Sequence, residues 1–172
     1  MNWKHELEHI GPALEQLAHK GGAFLTVGQG DKLNTMTIGW GAVGYFWNKP
    51  FFIAAVRICR YTHEFLMEKP EFTVSFPLNE DFKKALALCG TRSGKDLNKF
   101  EQASLEILPG HTVATPVIKG AFLQVECISR FQQEVMEEDL SPEIRQRFYA
   151  EGIREQRHIL YFGEITDLYR TE

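Results

Sequence analysis

Short strand-like segments recur along the chain, and they constrain its fold more than any other feature of the sequence. Each segment is rich in aromatic and β-branched residues, which favour extended backbone, and most are bounded by turn-forming residues. Because so many strands would leave open edges unless the sheet closes, we predict a mainly β protein, a β-barrel with peripheral helices. The predicted strands are residues 23–27, 35–40, 44–47, 51–56, 72–76, 121–135 and 157–169.

Helical patterns lie between and before these strands. Apolar residues at helical spacing predict a helix over residues 3–19, so a helical segment 1–20 precedes a barrel over 21–170 in a single domain, 1–172. The last helix is predicted from Ser141 and Pro142, a favourable N-cap and first helical residue. Asn48–Pro50 is the predicted turn between two strands, and residues 104–119, with two prolines, are predicted to be irregular. This last helix covers residues 142–151, and the other predicted helices are residues 62–68, 81–88 and 95–103.

Composition and charge exclude several classes of function. The chain has 172 residues, 44% of them hydrophobic, which is ordinary for a globular domain. Its net charge of −4 argues against nonspecific nucleic-acid binding, which needs a basic surface. No run of about 18 apolar residues is present, so no membrane span is expected, and residues 1–20 do not resemble a signal peptide. Three widely spaced cysteines, Cys59, Cys89 and Cys127, predict reduced thiols and a cytoplasmic location.

Two familiar motifs occur without the context that they need. Residues 39–44 match G-x-G-x-x-G, but the following residues 45–50 have strand and turn character, whereas a dinucleotide site needs a helix there. We therefore expect strand glycines and no Rossmann site. His5 and His9 have the spacing of metal ligands on a helix, but no third ligand is near, so no metal site is predicted.

Two polar segments are candidates for a site that holds a phosphate-bearing cofactor. Asn34–Trp40 begins with small polar residues and continues as a strand, and Cys89–Asp96 contains two hydroxyls, two cations and two glycines. Arg57–His63 lies between them. Phosphate groups are bound by cations, hydroxyls and backbone N–H groups, and these segments supply all three. Simpler interpretations stay open: a turn entering a strand, a solvated loop, and surface cations at Arg57, Arg60 and Arg92.

The order of these segments resembles that of a known family. Asn34–Trp40, then Tyr61-Thr62-His63, then Ser93–Asp96 followed by Lys99-Phe100, is similar to the flavin reductase-like, FMN-binding split-barrel family, in its flavoredoxin branch. The resemblance covers roughly residues 20–170. It implies a split-barrel homodimer that binds FMN near the subunit interface. One position departs from the pattern, because Asn98 stands where many relatives have aspartate.

The resemblance also implies which residues contact FMN. Side chains of the first segment would line the ring and ribityl chain: Asn34, Thr35, Met36, Thr37 and Trp40. Ribityl or phosphate contacts would come from Arg57, Tyr61 and Thr62. The phosphate end would be closed by Thr91, Ser93, Gly94, Lys95 and Asp96. No catalytic residue is assigned, and the roles of Cys89 and His158 stay open.

Two functions are consistent with this resemblance. The first is an oxidoreductase of the flavin reductase type that passes electrons from NAD(P)H to flavin. The second is a flavoredoxin-like electron carrier that holds FMN without a reductase activity of its own; a split-barrel protein without flavin is a third, weaker alternative. The electron acceptor is not identified. FMN is expected rather than FAD because no second pyrophosphate loop follows the compact polar segment. A homodimer is expected because aromatic residues crowd one turn: Tyr45, Phe46, Trp47, Phe51 and Phe52.

Overall fold

Antiparallel strands are the main regular element of the computed structural model, which describes residues 8–149 and 156–171. The strands are β1 (Ala23–Gln29), β2 (Lys32–Ile38), β3 (Gly41–Phe46), β4 (Lys49–Arg57), β5 (Glu71–Phe76), β6 (Ile107–Leu108), β7 (Val117–Ile118), β8 (Leu123–Glu134) and β9 (His158–Arg170). The helices are α1 (Ile10–His19), α2 (Tyr61–Glu68), α3 (Lys83–Thr91), α4 (Lys99–Gln102) and α5 (Pro142–Phe148).

One seven-stranded sheet carries the architecture, in the order β2-β1-β5-β8-β9-β4-β3, and β6 pairs with β7 separately. Every pairing is antiparallel. The two ends of the sheet, β2 and β3, are consecutive in the chain. Apolar side chains from β1, β2, β4, β5, β8 and β9 nevertheless meet in one buried cluster, so the sheet curls around its own core. The predicted mainly β fold with peripheral helices is confirmed.

A second buried cluster lies on the outer face of the sheet. Strand β1 is buried on both faces: Leu25 and Val27 point into the main core, and Phe24 points towards α3. There Phe24 packs with Leu86 and Cys89 of that helix. Helix α3 is therefore held against the sheet directly behind β1 and β2, which fixes the position of its C-terminal end.

The hairpin between β3 and β4 turns earlier than predicted. The turn residues are Trp47 and Asn48, both with positive φ, at 47° and 59°. Phe46 pairs with Lys49, so Lys49 and Pro50 already belong to β4. A two-residue turn with positive φ at both positions matches the right-handed twist of the flanking strands. Because this turn ends at Asn48, the predicted turn at Asn48–Pro50 is wrong. Of the three glycines in residues 39–44, Gly41 and Gly44 lie in β3 and Gly39 lies just before it. No helix follows them, as the sequence interpretation expected.

The predicted helix over residues 95–103 is mostly wrong. Only α4 is helical, because the backbone N–H of Asp96 bonds to the Ser93 carbonyl in a turn at 3.2 Å. Asn98 then caps α4: its Oδ1 accepts hydrogen bonds from the N–H groups of Phe100 and Glu101, at 3.1 and 3.4 Å. Asparagine is a good N-cap, so the departure from the family pattern at this position has a local structural role.

Several other boundaries differ from the prediction. Strand β2 ends at Ile38 rather than at residue 40, and α3 continues to Thr91, so it includes the first three residues of the polar segment Cys89–Asp96. The predicted N-terminal helix 3–19 falls partly outside the described residues; its described part is helical from Ile10. Helix α5 ends at Phe148, and the predicted continuation to residue 151 extends beyond the described residues. The segment 104–119 is irregular except for β6 and β7.

A close approach between strands makes Gly163 sensitive to substitution. A Cβ atom there would lie 2.4 Å from Cζ of the buried Phe72 and 2.8 Å from Cβ of Cys127. We expect Gly163→Ala to lower the free energy of unfolding by about 1–3 kcal/mol through overpacking. At Gly11, by contrast, nothing lies within 4 Å of an added Cβ. Urea denaturation of Gly163→Ala and Gly11→Ala checks this; equal midpoints for the two variants would contradict the packing argument.

Candidate functional site

A groove runs beside β2, the strand at one end of the sheet. It consists of two adjoining cavities of about 150 and 230 Å³, which share Met36 and Arg60. We call this space the β2 groove. A strand at a sheet end leaves every second backbone N–H and C=O without a strand partner, so the groove has polar backbone along one wall. Its full lining is Asn34, Met36–Trp40, Ala55, Arg57, Cys59–Thr62, Thr91–Gly94, Lys99 and His158.

The N-terminus of α2 opens onto this groove. Asn34 Nδ2 donates a hydrogen bond to Thr62 Oγ1 at 2.9 Å, which joins the helix start to β2. The first N–H groups of a helix have no partner within it, and they carry the positive end of its dipole. None of the residues 8–149 and 156–171 accepts a hydrogen bond from the N–H groups of Tyr61 and Thr62. They are available to an anion.

Two arginines give the groove a positive charge. Arg57 Nη1 donates to Gln156 Oε1 at 3.2 Å, and Arg60 Nη1 donates to the Gly90 carbonyl at 3.0 Å. Both acceptors are neutral. Within the described part of the chain, neither guanidinium forms an ion pair with a carboxylate. An arginine without a carboxylate partner, next to free helix N–H groups, favours an anionic ligand.

His158 lies at the Trp40 end of the groove. Burial, and then the charges of Arg57 and Arg60, lower the pKa of His158 to about 4. The imidazole is therefore neutral at physiological pH. Its Nδ1 lies 2.9 Å from the hydroxyl of Tyr149, and its ring packs on Trp40 with 4.7 Å between centroids. Phe148 meets Trp40 edge-on, with 5.2 Å between centroids, so α5 supports this end of the groove.

Lys99 joins β2 to the end of α3. Its ammonium is buried and donates hydrogen bonds to the carbonyls of Thr35, at 2.8 Å, and Cys89, at 3.0 Å. Burial lowers the pKa of Lys99. Burial also raises the pKa of Cys89 to about 11, so this cysteine is a packed thiol at neutral pH, because the thiolate is the reactive form.

Most of the sequence-predicted site residues meet in the β2 groove. The exceptions are Thr35, Lys95 and Asp96. Thr35 is on the other face of β2, where its hydroxyl bonds to Thr26 and to the Leu25 carbonyl. The residues brought together are Asn34, Met36, Thr37, Trp40, Arg57, Tyr61, Thr62, Thr91, Ser93 and Gly94.

Lys95 and Asp96 line a neighbouring cleft instead. The Lys95 ammonium forms an ion pair with Glu64 Oε1 at 2.5 Å and lies 5.2 Å from the centroid of the Tyr61 ring. The hydrogen bond to Glu64 raises the pKa of Lys95. Thr91 reaches the groove, although its hydroxyl donates to the Ala87 carbonyl of its own helix at 2.8 Å.

The groove-lining residues that the sequence prediction did not assign include three with polar side chains: Arg60, Lys99 and His158. Arg60 lies in the candidate segment Arg57–His63 but was given no contact, although its position directly before Tyr61 is a usable signal. His158 begins β9 and pairs with Arg57 across the sheet, a contact between residues far apart in sequence. No described helix is long and apolar enough to cross a bilayer, and no cluster of three metal-ligating side chains occurs in the described ranges.

Comparisons with known proteins agree with this architecture. An uncharacterized protein of Archaeoglobus fulgidus is 34% identical over 104 residues, which is 60% of this chain and 58% of that protein. The match thus spans less than two thirds of the curated relative. Flavoredoxin from Methanosarcina acetivorans has a TM-score of 0.66 and 25% identity, covering 87% of this chain and 68% of its own. Flavoredoxin of Desulfovibrio vulgaris (Miyazaki F) has a TM-score of 0.66 and 20% identity, covering 87% and 69%.

A family model covers nearly the whole chain. Residues 18–172 match the model described as a flavin reductase like domain. The match includes every strand of the sheet and every residue of the β2 groove. This chain therefore belongs to the flavin reductase like domain family.

Proposed function

We propose that this protein is an FMN-binding oxidoreductase of the flavin reductase type, which passes electrons from NAD(P)H to flavin. The observation that carries the proposal is the pair of guanidiniums, Arg57 and Arg60, which face the β2 groove without a carboxylate partner in the described residues. Family membership supplies the class of cofactor. The two guanidiniums in the groove supply the positive charge that a phosphate-bearing cofactor needs.

The residues in the groove fit FMN. A phosphate dianion needs cations and N–H donors, and Arg60 together with the α2 N-terminus offers both. A flavin ring edge needs backbone donors and acceptors, and β2 offers these along its free edge. Trp40 and Met36 supply apolar surface for a planar ring. The two small cavities suit a mononucleotide, which supports FMN as the flavin rather than FAD.

Bound FMN would supply the two-electron acceptor that takes hydride from NAD(P)H. Arg57 and Arg60 would offset the negative charge that accumulates in the groove on reduction, since neither pairs with a carboxylate of residues 8–149 or 156–171. His158 contributes no charge at neutral pH because its pKa is lowered to about 4 by burial and by the two arginines. Its neutral ring can orient a ligand through one hydrogen bond while Tyr149 holds the other nitrogen.

A flavoredoxin-like electron carrier is the second candidate. Two of the structures with the same fold are flavoredoxins, and the glycines of residues 39–44 lack the following helix that a dinucleotide site needs. The rate at which NADH or NADPH reduces the bound flavin distinguishes a reductase from a carrier. FMN-loaded protein mixed anaerobically with NADH, and separately with NADPH, is expected to lose its flavin absorbance near 450 nm within seconds. Bleaching by dithionite but by neither nicotinamide would overturn the reductase proposal in favour of the carrier.

A homodimer is part of the proposal. The aromatic residues of the β3–β4 hairpin divide into two groups: Phe51 and Phe52 are buried in the protomer, whereas Tyr45 and Trp47 are 66% and 64% exposed. Phe131 of β8 packs against Trp47 and extends the exposed aromatic surface. Surfaces of this kind mark interfaces. A cytoplasmic location is also proposed, supported by the free thiols of Cys59, Cys89 and Cys127.

A further inference from the structure

Tyr149 and His158 form a hydrogen-bonded pair at the Trp40 end of the β2 groove. The Tyr149 hydroxyl lies 2.9 Å from Nδ1 of His158, and the two rings meet edge-on with 5.6 Å between centroids. Both side chains are buried. Tyr149 directly follows α5, whereas His158 begins β9, so the pair joins these two elements beside the groove.

The Tyr149 hydroxyl is the donor in this hydrogen bond. Burial raises the pKa of Tyr149, so the hydroxyl keeps its proton at neutral pH. A buried tyrosine hydroxyl needs an acceptor for that proton. Nδ1 of His158 is the only acceptor that it meets within residues 8–149 and 156–171. Nδ1 therefore accepts, and it carries no hydrogen of its own.

The single hydrogen of the neutral imidazole then lies on Nε2. His158 is neutral at physiological pH, because burial and the charges of Arg57 and Arg60 lower its pKa to about 4. A neutral imidazole whose Nδ1 accepts a hydrogen bond carries its hydrogen on Nε2. Nε2 has no hydrogen-bond partner among the described residues, yet it is not closed off from solvent. The ring end of the groove, which His158 lines, thus contains an uncharged N–H donor that is open to a ligand.

We propose that Tyr149 is a positioning residue that fixes the Nε2–H tautomer of His158, and that this N–H donates a hydrogen bond to the ring edge of FMN; the inference rests on the proposed FMN site. The ring edge of a flavin carries oxygen and nitrogen acceptors, and hydrogen bonds to them tune its electronics. The ring gains negative charge on reduction, and a hydrogen bond to a charged acceptor is stronger than one to a neutral acceptor. His158 therefore binds reduced FMN in preference to oxidised FMN and raises the reduction potential of the bound flavin.

The tautomer can be measured directly, both without and with FMN. Long-range ¹H–¹⁵N correlation spectra of the whole chain with labelled histidine distinguish protonated from unprotonated ring nitrogens. We expect His158 to be protonated at Nε2 alone in the unmodified chain, and at either nitrogen in Tyr149→Phe. Tyr161→Phe is the matched control, because it also removes a buried hydroxyl from Nδ1 of a histidine, that of His63 at 2.6 Å. Neither Tyr161 nor His63 lines the β2 groove, so the tautomer of His158 should not change.

The reduction potential of bound FMN tests the contact with the ring. His158→Leu should weaken the binding of reduced FMN relative to oxidised FMN at least about tenfold, which lowers the potential by about 30 mV for a two-electron couple. Tyr149→Phe should change the same ratio at least about threefold in the same direction, and it keeps the test valid if His158→Leu does not fold. His158→Gln supplies an N–H donor that does not depend on Tyr149. Adding Tyr149→Phe to His158→Gln should therefore cause no further shift.

Three results would overturn the inference: a hydrogen on Nδ1 of His158 in the unmodified chain, an unchanged potential in Tyr149→Phe, or an equal shift of the potential in Tyr161→Phe. Each of them leaves the proposed function standing, provided that the unmodified chain binds FMN and that NADH or NADPH bleaches it. Absence of FMN binding by the unmodified chain would instead overturn the proposed function, whatever the tautomer of His158.

Discussion

Replacing Arg60 by alanine is expected to weaken FMN binding by about ten- to a hundredfold. One charge-assisted hydrogen bond to a phosphate contributes about 1.5–3 kcal/mol, which corresponds to that range in affinity. Arg60 faces both cavities of the β2 groove, and its hydrogen-bond partner among the described residues is a neutral one, the Gly90 carbonyl. Fluorescence titration of the apoprotein with FMN measures the effect. Arg60→Lys should recover part of the affinity, because it keeps the charge but loses the planar fork.

Two controls test whether Arg60 contacts the phosphate of FMN. Riboflavin lacks the phosphate, so its affinity should change little in Arg60→Ala if the guanidinium contacts phosphate. Lys95→Ala should affect FMN binding less than Arg60→Ala, because Lys95 is paired with Glu64 and lines the neighbouring cleft rather than the β2 groove. A larger loss in Lys95→Ala than in Arg60→Ala would contradict the account of the groove and support the original sequence interpretation of the Ser93–Asp96 segment.

Replacing Glu126 by alanine is expected to lower the free energy of unfolding by about 3–5 kcal/mol, since each buried donor left without an acceptor costs roughly 1–3 kcal/mol. The buried Glu126 carboxylate holds the loop between β6 and β7. It accepts hydrogen bonds from the N–H groups of His111, Thr112 and Val113, and from the hydroxyls of Thr112 and Tyr169, at 2.6–3.3 Å. Urea denaturation measures the loss.

The same carboxylate predicts a pH dependence. Burial alone would raise the pKa of Glu126, but the hydrogen bonds from His111, Thr112 and Tyr169 outweigh it and hold the pKa below its usual value of 4.5. A group with a lowered folded-state pKa contributes stability above its unfolded-state pKa and loses it as the pH falls through the folded value. The stability difference between the unmodified chain and Glu126→Gln should therefore be constant near pH 7 and shrink below about pH 4.5.

A surface carboxylate serves as the control for this dependence. Glu106 forms an exposed ion pair with Lys119, and that pair lowers its pKa. Exposed pairs contribute little to stability, so Glu106→Gln should leave the denaturation midpoint almost unchanged at every pH. If Glu126→Gln and Glu106→Gln behaved alike, the carboxylate of Glu126 would not be what holds the loop.

The fold was accessible from sequence because its strands have a strong local signal. Alternating and continuous apolar runs predicted every strand of the large sheet, although the first or last residue of several strands was wrong. The boundaries that were wrong depend on local hydrogen bonds. The Ser93–Asp96 turn and the Asn98 cap, for example, make α4 shorter than the predicted helix. The positive φ at Trp47, which a bulky residue rarely adopts, could not be inferred from residue type.

The site was only partly accessible, because its decisive contacts join distant residues. Strand alternation puts the side chain of Thr35 on the opposite face of β2 from Asn34 and Met36. The same rule would also have excluded Thr37, which lines the groove, so alternation alone could not separate these two threonines. The pairing of Lys95 with Glu64, 31 residues away, could not have been foreseen. The same holds for Lys99, whose ammonium bonds to Thr35 across 64 residues, and for the pairing of His158 with Arg57.

Flavin titration of the apoprotein tests the central claim, that the β2 groove binds FMN, most directly. The account predicts saturable quenching of FMN fluorescence at about one FMN per chain, with FAD binding no more tightly than FMN, and a clear loss of affinity in Arg60→Ala. Absence of saturable FMN binding, or FAD binding clearly tighter than FMN binding, would contradict it.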